Sequence, residues 1–218
     1  MTETQYVQAN GIRIRYADEG PKDAPAVVMS HSLSAELAMW EPQAAALRDR
    51  YRVIRFDTRG HGGTDVPAGP YTLDALAKDA IGLFDALGLA SVHWVGLSMG
   101  GMIGQTAVLM APKRFRTLTL ADTASGYPPE AVGMWAERIA AARKNGMAPG
   151  VEGTMDRWFS PGFMASGAPI LDAVRGMIRN TPVEGYCGCG AAIAKLNVTP
   201  RLGEIATPTL VICGEDDP

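Results

Sequence analysis

Cysteine is scarce in this chain, with three in 218 residues. An odd and small number builds no disulfide framework, so a reducing compartment, the cytoplasm, is expected. Cys187 and Cys189 form a C-x-C pair. No second pair at metal-ligand spacing follows it, and both read as small buried side chains. Charge of one sign is also lacking: the net charge is -3 and the pI about 5.6. That removes the electrostatic case for nucleic acid or an anionic membrane as partner. No apolar run reaches the ~18–20 residues of a membrane span. Met1 to Gln5 carries no basic-then-apolar targeting pattern. Histidine is as rare as cysteine, at His31, His61 and His93. What remains is 47% hydrophobic and long enough for a sizeable core.

Strand and helix signals alternate along the first 124 residues. Tyr6 to Asn10 and Ile12 to Tyr16 flank Gly11 and predict an opening hairpin. Ala26 to Ser30, Arg52 to Phe56, Ser91 to Val95 and Phe115 to Ala121 read as short strands. Met39 to Asp49 reads as a helix. Thr72 to Leu87 is another, with Leu73, Leu76, Ala77, Ala80, Ile81, Phe84 and Leu87 on one face. Such alternation predicts an α/β fold, with a mostly parallel sheet covered by helices on both faces. From Pro128 onward the pattern turns helical, over Glu130 to Lys144, Val151 to Phe159, Pro169 to Arg179 and Val183 to Leu196. Pro128-Pro129, Ser160-Pro161-Gly162 and Thr181-Pro182 punctuate it. Met134, Trp135, Met155, Trp158, Phe159 and Met164 supply its apolar surface, and for most of them the insertion's own core is the expected place. Pro208 to Cys213 returns as a strand. The division expected is a sheet core of 1–124 with 201–218, and a helical cap of 125–200.

One motif carries chemistry. Gly96-Leu97-Ser98-Met99-Gly100-Gly101 follows a strand and opens a helix over Met102 to Met110, the setting in which G-x-S-x-G lifts a serine clear of a sheet. Small residues are needed on both sides of such a turn. Ser98 is therefore the expected nucleophile; the plainer alternative is a Gly-rich turn with a capping serine. A developing oxyanion there meets backbone N–H groups and the helix dipole.

In open parallel sheets functional groups gather at the carboxyl ends of strands. After Ala26 to Ser30 comes His31-Ser32-Leu33-Ser34, which can supply the Leu33 N–H as one oxyanion donor, with the Met99 N–H as the other. His31 reads as a brace for that loop. Asp57-Thr58-Arg59-Gly60-His61-Gly62-Gly63 reads as a Gly-rich loop tied by an Asp–Arg pair, with a catalytic Asp57 or His61 as the alternative. Asp217 is the expected acid, holding a histidine's tautomer and stabilising its imidazolium; Asp216 and Asp122 compete for the role. His93 lies within a strand and reads as a packed side chain. In the order Ser, acid, His, the base follows the acid, yet all three histidines precede Ser98.

These residues resemble the α/β-hydrolases, and more narrowly the 3-oxoadipate enol-lactonases. The similarity includes Met39-Trp40-Glu41-Pro42-Gln43, Phe56 to Gly62, Gly69-Pro70-Tyr71-Thr72, the elbow, Arg157-Trp158-Phe159 and Glu184-Gly185-Tyr186-Cys187. Ser34 departs from it, standing where glycine is usual, as does His31, where asparagine is frequent. The resemblance implies acyl transfer from a small lactone or ester to water, with no metal or organic cofactor, and a substrate-lining tryptophan at Trp135. Trp158 is the second expected pocket residue. A substrate carboxylate would need a cation, for which Arg138, Arg143 and Arg157 stand open. A general carboxylesterase or a cofactor-free perhydrolase shares the same elbow. A ligand-binding scaffold with little turnover is the reading from another class.

The resemblance also implies a further helix, strand and histidine after Asp217, on a C-terminal fragment or second chain. Without them, Leu210 to Cys213 would be an exposed apolar sheet edge. The 218-residue polypeptide is expected to hydrolyse lactone poorly alone and to gain activity when a segment carrying those elements is added. Full activity of residues 1–218 alone would make His31, His61 or His93 the base.

Overall fold

In the computed structural model, residues 3–128 and 130–217 are described; Met1, Thr2, Pro218 and Pro129 of the Pro128-Pro129 mark lie outside them. Strand β3 (Ala26–Ser30) has all five residues buried, as a central strand covered on both faces must. It pairs in parallel with β4 (Arg52–Phe56) on one side and β5 (Val92–Leu97) on the other. Beyond β5 follow β6 (Phe115–Ala121) and β7 (Thr209–Ile212), both parallel. The hairpin of β1 (Gln5–Ala9) and β2 (Ile12–Glu19) is antiparallel and closes the opposite side, giving the order β1-β2-β4-β3-β5-β6-β7. At the far edge Leu210, Val211 and Ile212 of β7 are exposed.

The expected helix over 39–49 is instead a 3-10 turn at Leu37–Trp40 followed by α1 (Glu41–Leu47). Pro42 explains the break, because proline fits the first turn of a helix and not its interior. Helix α2 (Leu73–Ala86) starts at Thr72, whose hydroxyl accepts the Ala75 N–H at 3.1 Å. Its buried face includes Leu83 and Asp79, which periodicity of apolar residues did not mark. Asp79 is buried because Arg59 and Asn10 satisfy it at 2.6–2.7 Å. Helix α3 (Met99–Met110) begins directly after Ser98, three residues earlier than the apolar pattern indicated.

Trp94 on β5 organises the main core. It is fully buried, with Phe56, Phe84 and Phe115 at 6.1 Å between ring centroids. Those distances are within the range of favourable aromatic pairs. Its indole N–H donates to the Gly100 carbonyl at 3.1 Å and so ties the core to the first turn of α3.

Between β6 and β7 lie α4 (Glu130–Asn145), α5 (Val151–Trp158), α6 (Pro161–Ala165), α7 (Pro169–Asn180) and α8 (Val183–Ile193). α6 is too short to show periodicity and was not foreseen. α5 and α7 share a small core of Val151, Met155, Leu171, Val174 and Ile178. Met134, counted among the apolar surface, is exposed. α8 lies directly on the loops of the sheet core. The Gly69 N–H donates to Glu184 Oε1 at 3.0 Å, and the Tyr71 N–H to the Gly188 carbonyl at 3.2 Å. A methyl at Gly185 would collide with the Gly60 carbonyl, so only glycine permits this approach. Cys187 and Cys189 are buried on this helix, while Cys213 is exposed.

The two ends of the insertion meet. Gly126 bridges Asn197, the Ser125 carbonyl accepts from the Val198 and Thr199 N–H groups at 2.7 and 3.0 Å, and the Ser125 and Thr199 hydroxyls lie 2.9 Å apart. Among the described residues no helix is long and apolar enough to cross a membrane.

Candidate active site

Ser98 sits between β5 and α3 at φ 50°, ψ -111°. For a residue with a side chain this backbone conformation is strained, at a cost of about 1–3 kcal/mol. The surrounding structure holds it there. The Ser98 N–H donates to the Ala121 carbonyl of β6 at 2.9 Å. The Ser98 carbonyl accepts from the Thr123 hydroxyl at 2.7 Å and the Gly101 N–H at 2.9 Å. Gly100 packs against the Ser30 carbonyl so closely that a Cβ there would overlap it.

A cavity of about 170 Å³ opens at Ser98, between the end of β3 and the helical insertion. Leu33, Trp135 and Trp158 line it together with Ser98. Met99 is fully buried at the head of α3. Among the described residues the Leu33 and Met99 amides have no protein acceptor. Trp135 is 6% exposed, and its indole N–H is buried with no protein partner among the described residues. Trp158 is 38% exposed.

Of the three arginines left open by the sequence, Arg138 and Arg157 line this cavity and Arg143 does not. Arg143 stands eight residues beyond Trp135, about 12 Å along the helix axis, whereas Arg138 follows Trp135 by three. The Arg138 guanidinium lies 5.1 Å from the Trp135 ring centroid, a cation–π arrangement. Partial desolvation, and then the charge of Arg138, lower the pKa of Arg157. Among the described residues no carboxylate lines the cavity and neither arginine has an acidic partner within 4.0 Å. Tyr127 and Tyr186 also line it, as do Ser32, Ser34 and Thr154. The sequence analysis missed both tyrosines, although Tyr186 lies inside a segment it had singled out.

The histidines are committed elsewhere. His31 Nε2 accepts the Thr58 N–H at 2.9 Å, so its proton is on Nδ1, facing the Ser32 carbonyl at 2.7 Å. His61 Nε2 accepts the Ser34 N–H at 3.1 Å. Ser34 has φ 66°, which accounts for glycine being usual there. The two rings are 5.2 Å apart and completely buried. Desolvation lowers His31 to about 4; desolvation and then the neighbouring His31 lower His61 to about 3. His93 is half-buried against the Thr117 hydroxyl, 2.9 Å from Nδ1.

Asp57 is also structural. It accepts the Leu37 and Gly63 N–H groups at 2.7 and 2.8 Å and pairs with Arg15 at 3.2 Å. The Asp–Arg pair of this loop is therefore Asp57–Arg15, while Arg59 pairs with Asp79.

Asp217 does not line the cavity. It follows β7 and lies beside Asp122, which ends β6 at φ 41°. Desolvation, and then the charge and hydrogen bond of Asp122, raise the Asp217 pKa. Asp122, Cys213 and Asp217 bring ligand atoms within 4.8 Å of one another, a spacing a metal ion could use. Both Cys213 and Asp217 are exposed.

A family model described as the alpha/beta hydrolase fold matches residues 25–218. The chain belongs to the α/β-hydrolase family. It is 37% identical over 210 residues to 3-oxoadipate enol-lactonase 2 of Acinetobacter baylyi, covering 96% of this chain and 78% of that protein. The solved enol-lactonase of Burkholderia xenovorans LB400 superposes with a TM-score of 0.92 at 36% identity, over 97% of this chain and 81% of that one. A thermophilic esterase from Thermogutta terrifontis, solved with malate bound, gives 0.91 at 27% identity, over 98% and 80%. This α/β-hydrolase is thus similar both to enol-lactonases and to an esterase.

The buried histidine pair dictates an acid limit to stability. Both native pKa values lie below the unfolded value of ~6.5. At neutral pH both states are unprotonated there, and stability is unaffected. Between about pH 6 and 4 the unfolded chain takes up nearly two protons that the native protein refuses. Unfolding free energy should then fall by up to ~2.7 kcal/mol per pH unit. Denaturant titrations at pH 7, 6 and 5 check this. A flat profile would mean that the rings are not buried neutral.

Proposed function

We propose that this chain is a serine hydrolase for a small carboxylate-bearing lactone, with 3-oxoadipate enol-lactone, opened to 3-oxoadipate, as the best-supported substrate. The observation that carries the reading is the cavity itself. A strained serine and two arginines without acidic partners face one small space. The enol-lactonase relatives support the substrate class.

In this mechanism Ser98 Oγ attacks the lactone carbonyl carbon. Its proton passes to a general base, and the carbonyl oxygen becomes an oxyanion held by the Leu33 and Met99 N–H groups. Collapse of the tetrahedral intermediate breaks the ring C–O bond and gives an acyl-serine and an enol, which takes up the proton. Water then attacks the acyl-serine and restores Ser98. An enol leaves more readily than an alkoxide, so modest acid assistance suffices. In this reading Asp217 orients the base. His31 and His61 are excluded as base, since each lone pair accepts a backbone N–H. Arg138 and Arg157 receive the substrate carboxylate, with the Trp135 N–H as a neutral donor beside them and Trp158 as a wall. Charge-assisted bonds of that kind contribute about 1.5–3 kcal/mol each. The scheme needs no metal or organic cofactor.

A carboxylesterase of the same fold is the second reading, favoured by the likeness to the malate-bound esterase. A non-catalytic binding scaffold would also keep the fold. In the complete enzyme, with the segment supplying the base present, Ser98→Ala should lower lactone turnover by several orders of magnitude, leaving ~10³–10⁴-fold catalysis over water. A covalent serine-directed probe should label the wild type and not the variant. Near-normal turnover in the variant rejects Ser98, and absence of labelling in the wild type favours the scaffold.

Trp135→Ala separates lactonase from esterase. It should reduce kcat/KM for the carboxylate-bearing lactone more than for a small neutral activated ester. Equal losses on both would assign Trp135 a purely structural role.

A further inference from the structure

A second cavity, of about 210 Å³, lies between α4 and α5 inside the helical insertion. It shares Arg138, Thr154, Arg157 and Tyr186 with the cavity at Ser98, so the two meet at the arginine pair. The carboxylate-bearing substrate proposed above leaves this second space unused. Each cavity is comparable to the ~150 Å³ that holds a benzene-sized guest, and a small lactone fills only the first.

The chemistry of the second cavity differs along its length. Among the described residues Arg138 and Arg157 are its charged lining groups, and they stand at the junction. Ala141, Ala142, Met147 and Ile178 give the rest of the lining a largely apolar surface, with Asn145 among them. Gly150 and Gly153 line it from the other side, and a side chain at either would meet nothing within 4 Å. The space is thus kept by small residues on two separate helices. A wall that is cationic at one end and apolar at the other suits an anion with a hydrocarbon tail.

We propose that this second cavity is a tail subsite, which accepts an apolar chain branching from the carbon next to a substrate carboxylate held by Arg138 and Arg157. It rests on the carboxylate reading of the arginine pair and extends the substrate class from small lactones to α-alkyl-substituted carboxylates of two to four additional carbons. Gly153 and Ala141 then set chain-length specificity.

Calorimetric binding of two dicarboxylates that the protein cannot hydrolyse, adipate and 2-butyladipate, tests this without turnover. The wild type should bind 2-butyladipate at least tenfold more tightly than adipate. Gly153→Leu and Ala141→Leu each fill the cavity from a different helix, and either should bring that ratio near one. Leucine is favourable at both helical positions, and an unchanged circular dichroism spectrum confirms folding. The proposal is overturned if neither dicarboxylate binds, if the wild type shows no preference, or if the preference survives in both variants. Tail-dependent binding by a protein that hydrolyses no lactone or ester, even with the segment carrying the expected histidine added, would instead reject the hydrolase reading and leave the subsite standing.

Discussion

The conformation of Ser98 is the constraint on which the rest of the molecule depends. A side chain at positive φ is unfavourable in isolation, and it persists only because its neighbours leave no alternative. The parallel pairing of β5 with β6 fixes the Ser98 amide. Thr123 and the start of α3 fix its carbonyl, and Trp94 grips Gly100 from below. Trp94 belongs to the main core cluster, so the turn at Ser98 is tied to the hydrophobic centre of the protein. The cost of the turn is spread over apolar burial that has no direct part in chemistry.

The loop of residues 31–34 is held by a different device. Two buried neutral imidazoles act as hydrogen-bond bridges between loops of β3 and β4, each accepting one backbone amide. Asp57 supports the same region by receiving two amides and Arg15. Polar residues that in another arrangement would be catalytic are here consumed by backbone groups that must be satisfied once buried. They hold the loop that places Leu33 in the cavity lining.

How much was legible in the sequence differs by element. The α/β fold and the elbow were readable because period-two and period-3.6 burial leave direct marks, and because small residues flank Ser98. The start of α3 was misjudged because Met99, Gly100 and Gly101 have no apolar periodicity; their helical state follows from packing against Ser30. Asp79 was invisible on α2 because a buried charge reads as a surface one until Arg59 is placed beside it. Ser98, Leu33, Trp135 and Trp158 meet in one cavity, whereas Asp217 stands apart beside Asp122. Arg138 and Arg157 could not be ranked over Arg143 from sequence, since the ranking requires knowing which residues of α4 and α5 line one cavity. Tyr127 and Tyr186 were missed for the same reason: long-range juxtaposition has no local signature.

The stitch between residues 125–126 and 197–199 has a consequence for how such a protein can change. Entry and exit of the helical insertion are fastened to each other at one point. The segment between them therefore leaves and re-enters the sheet core at adjacent points, so a change in its length need not displace β6 from β7. Its last helix is the exception: α8 is seated on Gly60, Gly69 and Tyr71, and that face is common property of insertion and sheet.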